Sequence, residues 1–168
     1  CRGPKLAARV PDIVAARPDI LLIIIGDDPK NAVQDQAGQA SHIRKIVADR
    51  NLGDHVLMLG TVSDETLHDA YAAASLLIFP VLDIPGDVEG FGMVAIEAAA
   101  HGLPTAAFAT GGIPDAIVDT QTGYLASSGN YQELTRHVVN HLTAANQQTW
   151  SARCRLHSAQ FQWSRYGQ

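Results

Sequence analysis

The sequence predicts an α/β domain built on a doubly wound parallel sheet, and three observations predict it. Short apolar runs recur along the chain, each run is followed by a polar or glycine break, and residues at helical spacing then follow. The runs are apolar at consecutive rather than alternate positions. That pattern suits strands covered on both faces by the helices of right-handed crossovers.

Taken in order, residues 5–16 carry helical spacing and lead into the first apolar run, Ile-Leu-Leu-Ile-Ile-Ile at 20–25. The polar, patternless stretch 29–38 reads as a loop, and 39–50 as a helix. The second run, 55–59, is followed by a helix over 64–74. Ser63 supplies its N-cap hydroxyl, and Asp64 and Glu65 place acid where the helix dipole favours it. The third run is 75–79, followed by a long loop and a helix over 92–101 that Gly102 and Pro104 stop. Further strands fall at 105–108 and 123–126, with helices over 114–119 and 131–144. The expected division is a Rossmann-like domain over 1–146 and a helical segment over 147–168. Because the first residues go almost directly into a helix, the sequence reads as a fragment whose preceding strand, and a preceding domain, lie outside it.

Composition narrows the function. Twelve Lys plus Arg stand against seventeen Asp plus Glu, a formal net charge of −5. That is the wrong sign for a general nucleic-acid or anionic-membrane surface, so an anionic ligand has to be held locally. The two cysteines, Cys1 and Cys154, make neither a disulfide framework nor a zinc knuckle, and a reducing cytoplasm is the default.

In an open parallel sheet, ligands bind beyond the carboxyl ends of the strands, which directs attention to the loops there. The loop after the third run is the longest and contains Glu89-Gly90-Phe91-Gly92, leading into Met93-Val94-Ala95-Ile96-Glu97. Glycines beside a helix N-terminus let a phosphate approach free N–H groups at the positive end of the dipole. Glu97 lies about five residues into the helix, roughly 7.5 Å along its axis, and Glu89 lies on the loop side. A carboxylate beside a phosphate is unfavourable unless hydroxyl donors satisfy it, and a sugar diol supplies two. The expected ligand is a sugar joined to a phosphate, with Glu97 buried by its apolar flank.

The run Glu89 to Glu97, the following Ala98-Ala99-Ala100-His101-Gly102-Leu103-Pro104, and Gly111-Gly112-Ile113-Pro114-Asp115 together resemble the C-terminal, nucleotide-sugar-binding domain of family 4 retaining glycosyltransferases of the GT-B fold. The resemblance extends back through Ile24-Ile25-Gly26-Asp27, Leu59-Gly60-Thr61-Val62 and Tyr71-Ala72-Ala73-Ala74-Ser75, and forward to Phe161-Gln162-Trp163-Ser164, which is similar to the family's crossover helix. It implies hexosyl transfer from a UDP- or GDP-sugar to a hydroxyl in polysaccharide or glycoconjugate synthesis, with the nucleotide sugar as substrate and neither cofactor nor metal. It implies that Glu97 binds the ribose hydroxyls and that Glu89, the catalytic candidate, contacts the donor sugar. Backbone N–H groups of Gly90, Phe91, Gly92 and Met93 would bind the sugar and pyrophosphate, and Thr61 and Val62 would pass beside the base. Arg2, with Lys5 as competitor, would neutralise the pyrophosphate. A sugar or lipid-linked acceptor would be held by the absent N-terminal domain, which leaves the isolated fragment inactive. Localisation would be cytoplasmic, with peripheral attachment of the full-length protein to the inner membrane face left open. The stretch 83–88 is longer than is common in the family, which leaves the sugar unassigned.

Other readings compete. Residues 90–95 satisfy Gly-x-Gly-x-x-Ala, a dinucleotide fingerprint, but about ten residues separate it from the preceding strand and Thr110 and Gly111 stand where an acid is needed. A nucleotide-sugar epimerase of the same architecture and a non-catalytic nucleotide-binding module also remain. Asp83, Asp87 and Glu89 as metal ligands, and His137 with His141 as a zinc pair, are weaker than solvated loop acids and a structural helix face. His101 suits a helix C-terminus, and Trp150, Trp163 and Tyr166 are expected to pack against a partner domain.

Overall fold

The five apolar runs are five strands: β1 (Leu22–Ile25), β2 (Val56–Gly60), β3 (Leu77–Phe79), β4 (Thr105–Phe108) and β5 (Gly123–Ala126). Every pairing among them is parallel, in the hydrogen-bonded orders β1–β2 and β3–β4–β5. The structure is a computed structural model that describes residues 3–26, 38–82, 92–144 and 147–161. It divides into two units, Cys1–Leu67 and His68–Gln168.

In the first unit the helix expected over 5–16 is two helices, α1 (Gly3–Ala7) and α2 (Val10–Ala16). Pro11 explains the break, because its ring lacks an N–H and clashes with the carbonyl four residues back, while its fixed φ suits a first helical turn. Helix α3 (Gln39–Asp49) packs against α1, where a Cβ on Gly3 would fall on Ile43. It ends on Asn51 in the left-handed region (φ 55°), with Leu52 N–H bonded to Val47 O and Asn51 N–H to Ala48 O. One face of β1–β2 packs Leu22, Ile24, Val56 and Met58 against Val10, Val14, Val47 and Leu52. The other face departs from expectation. Ile23 is 38% exposed, Leu57 42% and Leu59 39%, because among the described residues α2 and the end of α3 pack on one side of these strands only.

Helix α4 (Asp64–Ala73) starts at Ser63, whose Oγ accepts from Thr66 N–H at 3.2 Å, the cap expected there.

The second unit is doubly wound. All four residues of β4 are buried, and neighbours in a strand face opposite ways. Ala107 joins Ala95 and Ile96 of helix α5 (Met93–Ala100) and Ile113 and Ala116 of helix α6 (Ile113–Ala116). Phe108 meets Tyr131 of helix α7 (Tyr131–Thr143) edge to face at 5.0 Å. Helices therefore cover both faces. Asn130 caps α7 by accepting from Glu133 N–H at 3.1 Å. Helix α8 (Gln147–Ser158), followed by a 3-10 turn at Ala159–Phe161, packs on α5. Trp150 lies 4.9 Å from the Tyr124 ring and 5.3 Å from the His141 ring, while Trp163 and Tyr166 lie outside the described residues.

Among the described residues, no helix is long and apolar enough to cross a membrane.

Candidate functional site

The parallel strands put the loops after β3 and β4 at one edge of the sheet, and Thr110 joins them by donating its hydroxyl to Val81 O at 3.1 Å. The next element along the chain is α5, whose N-cap is Gly92 at φ 72° and ψ 40°, a left-handed conformation that glycine adopts without cost. Gly92 is buried, and a Cβ there would lie 3.4 Å from Ile113 and 3.5 Å from Ala116, so the α5 N-terminus sits directly against α6. The first N–H groups of such a helix have no intrahelical acceptor and point along the positive end of its dipole.

From this terminus Met93, Glu97 and Ala100 run along the exposed face of α5, while Ala95, Ile96, Ala98 and Ala99 are buried. The expected burial of Glu97 is therefore corrected. The apolar neighbours turn inward to β3, β4 and α6, and at helical spacing position 97 faces away from them.

Beside that face lie residues of α4 that the sequence reading did not select. Tyr71 is half-buried, and burial first, then the charge of Glu97, raises its phenol above the ordinary value, so it stays protonated beside a carboxylate. Its ring stands 5.2 Å from that of His101, the C-cap of α5. The His101 Nδ1–H donates to Glu97 O at 2.9 Å, and His68 Nδ1 lies 2.6 Å from His101 Nε2. A carbonyl only accepts, so the Nδ1 of His101 carries a proton, and its Nε2 shares one hydrogen bond with His68 Nδ1. The i, i+3 spacing of His68 and Tyr71 on α4 was a signal that one helix face is shared, but nothing in the sequence brings His101 to it.

The remaining expected residues fall elsewhere. Lys5 is exposed on α1, Thr61 is exposed and Val62 half-buried just after β2, all in the first unit. Arg2, Glu89, Gly90, Phe91, Asp83 and Asp87 lie outside the described residues. Gly92, Met93 and Glu97 are brought together on α5. Of the weaker metal pair, His141 is engaged, since Nε2–H donates to Ser75 O at 3.1 Å and Nδ1 faces the Tyr124 hydroxyl at 3.4 Å, while His137 stacks on Tyr124. No group of three or more metal-ligating side chains occurs among the described residues.

The sequence profile described as "Glycosyl transferases group 1" matches residues 3–149. The chain belongs to that family. Among relatives of this family, a D-inositol 3-phosphate glycosyltransferase of Segniliparus rotundus is 29% identical over 164 residues, covering 96% of this chain and 34% of that protein. A GDP-mannose-dependent monoacylated alpha-(1-6)-phosphatidylinositol monomannoside mannosyltransferase of Corynebacterium glutamicum is 28% identical over 137 residues, covering 80% of this chain and 33% of that protein. The chain spans about a third of the length of these curated relatives.

Among solved structures, sucrose-phosphate synthase from Thermosynechococcus elongatus superposes with a TM-score of 0.77 at 29% identity, over 98% of this chain and 39% of that one. The C-terminal domain of a glycosyl transferase group 1 family protein, LpcC, from Francisella tularensis gives 0.77 at 18% identity, over 94% and 77%. Anabaena HepE in complex with UDP gives 0.75 at 22% identity, over 95% and 41%. The fold is thus the Rossmann-like, parallel-sheet fold of GT-B glycosyltransferase C-terminal domains.

Proposed function

We propose that this chain is the donor-binding half of a retaining, family 4 glycosyltransferase that takes a hexosyl group from a UDP- or GDP-sugar to an acceptor hydroxyl in polysaccharide or glycoconjugate synthesis. The observation that carries the reading is the arrangement on α5. A glycine in left-handed conformation opens a helix N-terminus against α6, and the Glu97 carboxylate stands one turn inside it on the exposed face. Such a terminus suits a pyrophosphate, and such a carboxylate accepts both hydroxyls of a ribose diol. Transfer then requires that charge developing on the departing diphosphate be met by fixed N–H groups and a cation, which needs no metal. In this reading Gly90, Phe91, Gly92 and Met93 supply the N–H groups, Arg2 or Lys5 the cation, Glu89 the contact to the donor sugar, and Thr61 and Val62 the flank of the base.

Two relatives support the donor class. HepE was solved with UDP, and the Corynebacterium relative is named for GDP-mannose. The acceptor is a sugar or a lipid-linked molecule, held by parts of a longer protein that precede this domain, in the cytoplasm or at the inner face of its membrane. Calorimetric titration of the chain with UDP, GDP and NAD tests the reading. Binding of UDP or GDP without NAD supports it and names the base; binding of NAD alone replaces it with a dinucleotide-binding function.

A further inference from the structure

We propose that His101 is a positioning residue for Glu97, fixed in ring orientation by His68 and Tyr71. This deepens the reading above and rests on it, because it assigns how the ribose-binding carboxylate is held in place.

Glu97 is exposed, and an exposed glutamate on the last turns of a short helix loses side-chain and backbone freedom when it binds a ligand. α5 has eight residues, and its C-terminal carbonyls have no partners further along the helix. Gly102, at φ 78°, turns the chain so that its N–H bonds Ala99 O and Leu103 N–H bonds Ala98 O, while His101 N–H points to Glu97 O and Ala98 O. The His101 ring adds a second donor to Glu97 O at 2.9 Å. The carbonyl of the very residue that carries the carboxylate therefore receives both the main chain and the side chain of His101.

His101 is itself held at both its ring and its main chain. His68 Nδ1 is hydrogen-bonded to Nε2 at 2.6 Å with centroids 4.7 Å apart, and Tyr71 lies against the ring at 5.2 Å. Arg155 Nη1 donates to the His101 carbonyl at 3.1 Å, and its Nη2 is braced by Ser151 Oγ at 2.7 Å. His68 and Tyr71 come from α4 and Arg155 from α8, so two elements fix the cap that fixes Glu97. A histidine needed only for the helix dipole would require no such neighbours, since a charged ring free in solvent serves that purpose.

The test is a double-mutant cycle read by calorimetric titration with UDP and GDP, using the chain and its His101→Ala, His101→Asn, Glu97→Ala and His101→Ala/Glu97→Ala variants. His101→Ala is expected to weaken nucleotide binding about 3- to 10-fold, the scale of one hydrogen bond. His101→Asn is expected to restore most of it, because its amide N–H falls where Nδ1–H stands. In the Glu97→Ala chain, removing His101 should add nothing. Equal binding by the chain and His101→Ala overturns the proposal, as does the same loss with and without Glu97. If Glu97→Ala weakens binding and His101→Ala does not, this proposal alone falls. If the unsubstituted chain binds no nucleotide, the donor-binding reading falls and this proposal with it. Should His101→Ala fail to fold, the 15N imidazole shifts of the unsubstituted chain decide. A protonated Nδ1 on His101 supports the cap, and a bare Nδ1 overturns it.

Discussion

His141 donates its Nε2–H to the carbonyl of Ser75, 66 residues earlier, across 3.1 Å, from a side chain only 1% exposed. The bond ties α7 to the entry of β3. Burial lowers the histidine's tendency to hold a second proton, a drop that the bond to Ser75 only partly offsets.

A pH dependence of stability follows. With its folded value below the unfolded 6.5, His141 binds fewer protons folded than unfolded, so stability falls as pH drops below about 6.5 and levels off beneath the folded value. Above that range His141 contributes no slope. The slope from one group is at most about 1.4 kcal/mol per pH unit. Urea unfolding of the chain and of His141→Gln between pH 5 and 8 checks this, and the substituted chain should show the shallower acid limb. Equal slopes would exclude His141 as the source.

Cys154 predicts thiol inertness. It is fully buried, its Sγ–H faces Thr122 O at 3.5 Å, and burial pushes the thiol up to about 11. Mapping alkylation by mass spectrometry at pH 8 should leave Cys154 unmodified in the folded chain and modified in urea. Rapid modification without denaturant would mean that α8 opens from Thr122.

Gly123 predicts a packing limit. It begins β5 opposite Thr105, and a Cβ there would collide with the Thr105 carbonyl and Ile117. The carbonyl belongs to a fully buried strand and cannot yield as a surface side chain does. Gly123→Ala should cost about 1–3 kcal/mol, read from the denaturation midpoint. A change within about 0.5 kcal/mol, as at an ordinary surface site, would contradict it.

The left-handed Thr120 predicts a gain. Its φ of 59° is costly for a β-branched residue, and its hydroxyl donates to the Asp119 carbonyl next to it. Thr120→Asn should stabilise by about 0.5–1 kcal/mol, seen as a raised thermal midpoint, while a lowered midpoint would show that the hydroxyl contributes more than the backbone strain costs.

The strands were legible because consecutive apolar residues leave little else for such runs to be, and β4 and β5 fall where the sequence places them. Gly102 was legible as a stop because a left-handed residue must end a helix there. The break between α1 and α2 was written in Pro11 but masked by continuous helical spacing around it. Local pattern misplaced Glu97, since apolar neighbours on both sides suggest burial whereas the helical period sends position 97 outward. The His68–His101 contact, formed between residues 33 apart, and the seat of Trp150 on Tyr124 depend on how α4 and α8 pack. No window of sequence contains that information. The exposed Leu57 and Leu59 have the same cause, because an apolar strand face announces a need for cover without saying what supplies it.

The proposed role of Glu97, to hold a nucleotide's ribose, is decided by titrating UDP and GDP into the chain and into Glu97→Ala. One of the two should bind the unsubstituted chain, and the substitution should weaken it by about 1.5–3 kcal/mol, the range for hydrogen bonds to a charged group. Binding of equal strength by both chains would contradict it.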